Sequence, residues 1–275
     1  MRPIRPEGLQ PGVPDLAGSP RAAAGGSEPA GALRAAGRLV RIAGLAAVTL
    51  ARTVGPGRGR KGAEVELLAR AARRALEIHG LEVRASGPAP RGPALLVSNH
   101  LSYLDPLVLL TRTLCVPIAK AELAAWPIFG AVARRTGVLF VERGSVGSRL
   151  SVMHAAERVF RAGGVVLNFP EGTTTDGSTV LRFRKGLFEV ARALRLPVVP
   201  AALRYDPPEL AWVGDTAFLP HYLSFARLER CAVELAFGEP IPAGAYPTAE
   251  RLAGAARART LSLLEGHDQL LGQAR

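Results

Sequence analysis

The chain has 275 residues, of which 48% are hydrophobic and 21% charged, which suits one globular domain with a sizeable core and an additional segment at one end. Its formal net charge of +12 favours anionic partners such as nucleic acid, an anionic membrane or a phosphorylated substrate. Aromatic residues make up only 5% of the chain and do not interleave with the basic stretches, so no nucleic-acid partner is expected.

The N-terminal part is predicted to hold a tail and a membrane-associating region. Residues 1–30 are mostly Pro, Gly, Ala and Ser, which predicts a disordered tail. The region 31–77 is predicted to form membrane-associating helices. In the helix predicted at 32–54, the uncharged stretch 42–51 has ten residues, which is too short to span a bilayer.

Two interpretations of this basic, apolar helix remain open. It suits lying in or dipping into a membrane interface, and the basic turn at 55–62 would then place it on the cytoplasmic face. The alternative is a soluble helix that packs on the core of the protein.

Residues 78–275 are predicted to form a catalytic domain of the α/β class, with a mixed, largely parallel central sheet flanked by helices. Short apolar runs alternate with helical patterns there, which is typical of buried strands covered by helices. The predicted strands are 81–85, 94–98, 116–119, 138–141, 165–169, 198–203 and 231–237. The predicted helices are 63–78, 106–113, 126–136, 146–162, 186–194 and 248–267.

Three apolar runs end in polar loops, "LLVSNHLSYLD", "VLFVERG" and "VVLNFPEGTTTDG". In α/β sheets, functional residues gather in the loops beyond the strand ends. The first loop holds His100 and Asp105, and a carboxylate that orients a histidine makes it a general base for a hydroxyl. The residues alone leave a second interpretation open, with Asp105 as a helix cap and His100 as a solvated loop residue.

The other two loops contribute Arg143 and Glu171, the latter predicted to brace its turn or to contact a substrate hydroxyl. If these residues, Lys120 and the basic run 182–185 face His100, the site combines a base with cations that bind phosphate. There is no GxSxG nucleophile motif, and Cys115 and Cys231 lie in apolar runs typical of reduced core thiols. No metal site is predicted.

Four blocks in order resemble the glycerolipid acyltransferases that include 1-acylglycerol-3-phosphate (lysophosphatidic acid) acyltransferase. Residues 99–105 match the NHx4D motif of that family, and 137–143 resemble its second block. Residues 169–173, "FPEGT", resemble the third block, and 198–201 resemble the fourth. The linking segment 120–130 also fits, so the resemblance covers about residues 78–243.

This resemblance implies that His100, oriented by Asp105, deprotonates a lysolipid hydroxyl, which attacks the thioester of acyl-CoA or acyl-carrier protein. It implies no metal and no bound cofactor; the expected partners are membrane lipid and the acyl donor, and the oligomeric state stays open. The expected substrate-binding residues are Asn99, Lys120, Arg143, Glu171, Gly172, Thr173, Arg184 and Lys185. The first expectation for the acceptor is 1-acyl-sn-glycerol-3-phosphate, which would give phosphatidic acid.

Thr174 stands where the third block usually has arginine, so one expected phosphate-binding cation is missing. This departure, with "FPEGTTTDG" and "WVGDTAFLPH", resembles the branch that contains lyso-ornithine lipid acyltransferases, which is the alternative acceptor class. A non-catalytic membrane-surface protein and a hydrolase are the rival hypotheses. The first predicts a decayed site, and the second needs an enzyme nucleophile.

Overall fold

The computed structural model describes residues 28–54, 62–126, 129–142, 144–214 and 216–273. The predicted tail up to residue 27, most of the basic turn and Arg143 therefore lie outside the described residues. The helices are α1 Glu28–Arg52, α2 Ala63–His79, α3 Asp105–Leu110, α4 Phe129–Arg135, α5 Val146–Arg161, α6 Gly186–Ala193, α7 Phe218–Arg227 and α8 Ala249–Gln273. The strands are β1 Leu81–Ser86, β2 Ala94–Ser98, β3 Cys115–Lys120, β4 Leu139–Val141, β5 Val165–Asn168, β6 Pro197–Asp206, β7 Cys231–Phe237 and β8 Ile241–Pro242.

In the described part of the chain the strands form one mixed sheet in the order β1-β7-β6-β2-β5-β3-β4, with β8 paired to β6. The run from β6 through β2, β5 and β3 to β4 is parallel, whereas β7 and β8 are antiparallel to β6. Because parallel strands end at the same edge, the loops after β2, β3, β4 and β5 meet along one side of the sheet. The three polar loops identified in the sequence all lie there.

Side chains alternate between the two faces of the sheet, and each face has its own core. Leu96 belongs to the cluster with α2, α3 and α7, whereas the neighbouring Leu95 and Val97 belong to the cluster with α5, α6 and α8. This alternation is the two-residue period of a strand, and all three residues are fully buried. The strand is continuous in apolar sequence because helices cover both of its faces.

Helix α1 packs on the domain through a buried arginine. The guanidinium of Arg38 donates to the backbone carbonyls of Ile78, Ala226 and Leu228, which lie at the ends of α2 and α7. Burial lowers the pKa of Arg38. Helix α1 nevertheless leaves Leu33 77% exposed and Val40 74% exposed. Among the described residues, no helix combines the length and apolar character needed to cross a membrane.

The predicted elements agree closely with the structure, with a few corrections. Helix α1 begins at Glu28, inside the segment expected to be tail, and ends before 54. Strand β6 continues to Asp206 instead of ending at 203. Helix α4 is described only from Phe129. Helix α7 and the two-residue strand β8 were not predicted.

Candidate active site

His100 and Asp105 form a hydrogen-bonded pair at the edge where the parallel strands end. His100 lies two residues beyond β2, and Asp105 is the first residue of α3. The Nδ1 atom of His100 donates to Oδ2 of Asp105 over 2.7 Å. The Nε2 atom has no hydrogen-bond partner within the described residues, and the His100 side chain is 17% exposed. This nitrogen is thus available to take a proton from a bound hydroxyl.

Asp105 is fully buried and serves as an acceptor for several donors. Besides His100, the backbone N–H groups of Leu101 and Ser102 donate to Oδ2, over 2.7 and 3.0 Å. The hydroxyl of Tyr205 donates to Oδ1 over 2.7 Å. These donors balance the cost of burying a carboxylate. The structure supports Asp105 as the group that orients His100. The expected helix cap is wrong, because Leu104 is the N-cap, no side chain caps this helix, and the Asp105 carboxylate binds the loop that presents His100.

The third loop supports His100 from the other side. The ring of Phe169 stacks on the imidazole, with 4.1 Å between centroids and 16° between planes. The backbone N–H of Thr175 donates to the His100 carbonyl over 2.8 Å. Ring position and backbone position of His100 are thus both fixed by the segment that follows β5.

Glu171 braces this arrangement from a buried position. Its Oε1 accepts from the His100 backbone N–H over 2.8 Å, and its Oε2 accepts from the Leu181 N–H over 2.7 Å. Burial raises the pKa of Glu171, and these two N–H donors offset part of that effect. Of the two roles expected for Glu171, the geometry fits the brace, since both oxygens bind the backbone.

A residue of the last helix continues the brace. The guanidinium of Arg257, in α8, donates to the carbonyls of Val180 and Leu181 over 2.6 to 3.0 Å. Arg257 therefore fixes the strip of backbone to which Glu171 binds. The sequence carried no motif at Arg257, because the partners are backbone carbonyls 76 and 77 residues away.

Asn99 differs from the substrate-binding role expected for it. It is 1% exposed, and its amide exchanges two hydrogen bonds with the backbone of Leu203, donating over 3.0 Å and accepting over 2.8 Å. These bonds join the end of β2 to β6. Asn99 thus positions the residue before His100 and has no surface left for a substrate.

The expected cations are placed differently from one another. Arg184 is exposed, and its guanidinium lies over Gly172, where a Cβ atom would come 2.7 Å from Cζ of Arg184. Gly172 has a φ of +76°, a backbone conformation that favours glycine. Thr173, next to it, is exposed at the same turn. Gly172, Thr173 and Arg184 are thus together beside the Glu171 brace.

Lys185 and Lys120 are not part of that group. The ammonium of Lys185 pairs with Glu189 at 3.2 Å and with Glu250 at 2.9 Å, so its charge is used by two carboxylates of the helices. Its side chain is 56% exposed, so the expectation that Lys185 binds substrate stays a prediction. Lys120 is exposed at the carboxyl end of β3, on the edge that carries His100. Arg143 is outside the described residues.

Aromatic side chains form a wall around Tyr103, in the loop that follows His100. Tyr103 contacts the rings of Trp212, Phe218 and His221 edge to face, and its hydroxyl lies 3.2 Å from Nδ1 of His221. The backbone N–H of Trp212 donates to the Leu101 carbonyl over 2.7 Å. The segment 207–221 is thus attached to the catalytic loop, which its sequence alone did not reveal.

This wall borders a cavity of about 230 Å³ that lies between α1, α2, α4, α7 and β3. Its lining is almost entirely apolar and includes Tyr103, Leu104 and Leu107, which lie three to seven residues after His100 in the chain. Apolar cavities beside a few polar groups are typical of sites for apolar ligands. The cavity can hold a hydrocarbon chain against the loop and helix that follow His100 in the chain.

The described residues offer no alternative chemistry of the common kinds. Burial raises the pKa of the Cys115 thiol and raises that of Cys231 to about 11, so both thiols are inert. No group of three or more His, Cys, Asp and Glu side chains in the described ranges is placed to hold a metal ion.

Comparison with known proteins identifies relatives of this arrangement. The family model described as "Acyltransferase" matches residues 75–204, which include all four blocks. The chain is 38% identical to a lyso-ornithine lipid O-acyltransferase of Pseudomonas aeruginosa over 187 residues, 66% of this chain and 72% of the relative. It is 34% identical to the enzyme of that name from Brucella abortus, over 71% of this chain and 80% of the relative.

Two further proteins extend the comparison. The human 1-acyl-sn-glycerol-3-phosphate acyltransferase alpha is 36% identical, over 46% of this chain and 47% of the relative. The crystal structure of the 1-acyl-sn-glycerophosphate (LPA) acyltransferase PlsC from Thermotoga maritima has a TM-score of 0.63 and 20% identity, covering 84% of this chain and 98% of that chain. At that identity the likeness concerns the fold.

Three observations agree on the family. The motifs occur in order, the sheet brings them to one edge, and relatives align over more than two thirds of their length. The chain is an enzyme that belongs to the acyltransferase family of the lyso-ornithine lipid and 1-acylglycerol-3-phosphate acyltransferases.

Proposed function

We propose that this acyltransferase moves a fatty acyl group from acyl-CoA or acyl-carrier protein to the free hydroxyl of a lyso-ornithine lipid. The observation that carries the reaction is the His100–Asp105 pair, in which Nδ1 is held at 2.7 Å and Nε2 has no described partner. Since no serine or cysteine of the described chain is paired with Nε2, the group to be activated is the hydroxyl of the acceptor.

The reaction then takes one transfer step. Nε2 of His100 takes the proton of the acceptor hydroxyl, and the hydroxyl oxygen attacks the carbonyl carbon of the thioester. The C–S bond breaks, and the departing sulfur takes the proton from His100, so that an ester and a thiol leave and the imidazole is neutral again. Asp105 stabilises the imidazolium between these events and holds the ring orientation.

The acceptor is supported by the extent of the likeness and by the charge of the third loop. The two lyso-ornithine lipid O-acyltransferases align over 66% and 71% of this chain, whereas the human 1-acyl-sn-glycerol-3-phosphate acyltransferase alpha aligns over 46%. Thr174 is uncharged where the family's third block has arginine, and Arg184 is the cation that lies at this turn. Lysophosphatidic acid, the acceptor first expected from the motifs, is the second candidate.

The apolar cavity between α1, α2, α4, α7 and β3 supports binding of an acyl chain. Its lining includes Tyr103, Leu104, Pro106 and Leu107, from the loop and helix that follow the base. Burial of each methylene group of a chain there contributes about 0.8 kcal/mol. A chain held in this cavity would reach the reaction centre with its polar end, where the imidazole is exposed.

Association with a membrane is supported by α1. Leu33 and Val40 are seven residues apart, so they lie on the same side of the helix, and both are more than 70% exposed. Arg34 and Arg41 stand next to them in the sequence. We infer that this face lies in the interface of an anionic leaflet, on the cytoplasmic side where basic segments are favoured.

An acyl-transfer assay with the purified chain tests the function. Lyso-ornithine lipid and lysophosphatidic acid are offered side by side, each with acyl-CoA and with acyl-carrier protein. Lyso-ornithine lipid is expected to be the better acceptor; a preference for lysophosphatidic acid would contradict the proposed substrate and leave the reaction type intact.

The base is tested by His100→Ala, with His154→Ala as the matched control because His154 is an exposed histidine of α5. His100→Ala is expected to lower kcat by roughly 10²- to 10⁴-fold. His154→Ala is expected to leave kcat unchanged. Equal activity of His100→Ala and the unaltered chain would disprove the general-base role.

A further inference from the structure

The turn that follows Glu171 carries a carboxylate, Asp176, which neither the fold nor the proton transfer uses. Thr175, before it, donates to the His100 carbonyl over 2.8 Å. Gly177, after it, has a φ of +85° and lies beside Leu101, where a Cβ atom would come 3.3 Å from Cδ2 of Leu101. Asp176 thus lies between two residues that contact the catalytic loop, and its own side chain is exposed.

The local bonds of Asp176 keep it charged and leave one oxygen unused. Its Oδ1 accepts from the backbone N–H of Ser178 over 2.9 Å and from the Ser178 hydroxyl over 2.6 Å. These donors lower the pKa of Asp176. Among the described residues, no donor binds Oδ2 of Asp176, and its carboxylate forms no ion pair. A full negative charge is therefore presented at this turn.

A positive charge is presented at the same loop. The backbone N–H of Arg184 donates to the Pro170 carbonyl over 2.9 Å, and the guanidinium lies on Gly172. Neither Arg184 nor Asp176 forms an ion pair with a described residue, in contrast to Lys185 with its two carboxylates. The loop that holds His100 in place therefore offers one unpaired cation and one unpaired anion.

This pair of charges differs in its response to the two candidate acceptors. A phosphate monoester carries only negative charge, so Arg184 attracts it and Asp176 repels it. An ornithine residue acylated on its α-amino group keeps a carboxylate and a side-chain ammonium, which match the two charges one to one. Specificity is the difference between such affinities, and a like charge opposed to the wrong ligand is one way to obtain it.

We propose that Asp176 is a specificity-determining residue that binds the ammonium group of a zwitterionic amino-acid headgroup, while Arg184 binds its carboxylate. This inference rests on the proposed function, because it concerns the acceptor of the same site. On this inference, two features disfavour a phosphate headgroup: the negative charge of Asp176, and Thr174 in place of the arginine usual in the family.

The test compares Asp176→Asn with the unaltered full chain. Asparagine keeps the Oδ1 acceptor for Ser178 and so retains the turn, while the charge is removed. Glu239→Gln is the control, because it removes one exposed carboxylate from the β7–β8 connection, on the other side of β6. The acceptors are lyso-ornithine lipid, its derivative acetylated on the side-chain amine, and lysophosphatidic acid.

Asp176→Asn is expected to lower kcat/KM for lyso-ornithine lipid roughly fivefold, mainly through KM, as for one exposed ion pair. It is expected to leave the acetylated derivative unchanged and to improve use of lysophosphatidic acid, with Glu239→Gln unchanged throughout. An equal loss with lyso-ornithine lipid and its acetylated derivative would overturn the inference, since the effect would then not depend on the ammonium.

The inference and the proposed function fail in different ways. If the unaltered chain acylates lyso-ornithine lipid and the acetylated derivative equally well, the inference is overturned and the proposed function stands. If it acylates lysophosphatidic acid and not lyso-ornithine lipid, the proposed function is overturned, and the inference with it.

Discussion

Tyr205 is the residue of this site whose contribution can be worked out most directly from the structure. It is 5% exposed near the end of β6, and its hydroxyl donates to Oδ1 of the fully buried Asp105 over 2.7 Å. Burial and the neighbouring Asp105 charge raise the pKa of Tyr205, so the hydroxyl keeps its proton and remains a donor. Tyr205→Phe removes this donor and changes little else in shape.

A hydrogen bond to a charged group contributes about 1.5–3 kcal/mol. Tyr205→Phe is therefore expected to lower the free energy of unfolding by about 2 kcal/mol. The loss of activity should be smaller, because Oδ2 of Asp105 keeps its bonds to His100, Leu101 and Ser102. A fall in kcat of roughly three- to tenfold is expected, against roughly 10³-fold or more for Asp105→Asn.

The assay combines denaturant unfolding with kcat at saturating lyso-ornithine lipid. Tyr246→Phe is the control, since the Tyr246 hydroxyl has no hydrogen-bond partner among the described residues, and it should change neither quantity. Unaltered stability and kcat in Tyr205→Phe would mean that this bond contributes nothing. A loss of kcat as large as that of Asp105→Asn would refute the reasoning in the other direction, because Tyr205 would then act in the reaction itself.

Two further predictions concern Gly172, in the turn after Glu171, and His79, at the end of α2. Gly172→Ala places a methyl group 2.7 Å from Cζ of Arg184 and strains a φ of +76°, so KM for the acceptor should rise roughly three- to tenfold with kcat nearly kept; no change in KM would separate Arg184 from acceptor binding. Burial lowers the pKa of His79 from 6.5 to about 4, so the unfolded chain takes up a proton at a higher pH than the folded chain. Stability should fall by about 3 kcal/mol as the pH drops from 6.5 to 4, and His79→Gln should lose this dependence in unfolding measurements at several pH values. Equal pH slopes in both proteins would contradict the burial of a neutral imidazole.

Much of the fold was predictable because the buried strands are continuous apolar runs. Helices on both faces remove the need for polar positions, so strands such as β2 and β7 were predicted with their observed ends. The order of the strands and the reversal of β7 were not predictable, since they depend on pairings between distant segments. Helix α7 was not predicted for the same reason, because its apolar side packs against α1 and the catalytic loop, which are distant from it in the sequence.

In the site, too, the contact between residues close in the chain was predictable, and the contacts with distant backbone groups were not. The spacing of His100 and Asp105 predicted their contact, because a loop with four intervening residues can bring the two side chains together. Asn99 was assigned to substrate, and Glu171 to substrate or to bracing its turn, whereas their partners are backbone groups of distant residues such as Leu203 and Leu181. Any backbone N–H or carbonyl can be such a partner, so the sequence leaves no trace of which one is used.

The charges at the third loop also set the size of the specificity to be expected. Asp176 and Arg184 are both exposed, so each interaction with a headgroup contributes on the order of 1 kcal/mol, screened by salt. Exchanging a zwitterion for a phosphate changes one attraction into a repulsion, a difference of about 2 kcal/mol, or roughly thirtyfold in kcat/KM. A site of this kind prefers one acceptor without excluding the other. Higher salt should therefore narrow the ratio between the two acceptors, whereas discrimination through the buried His100–Asp105–Tyr205 array would respond little to salt.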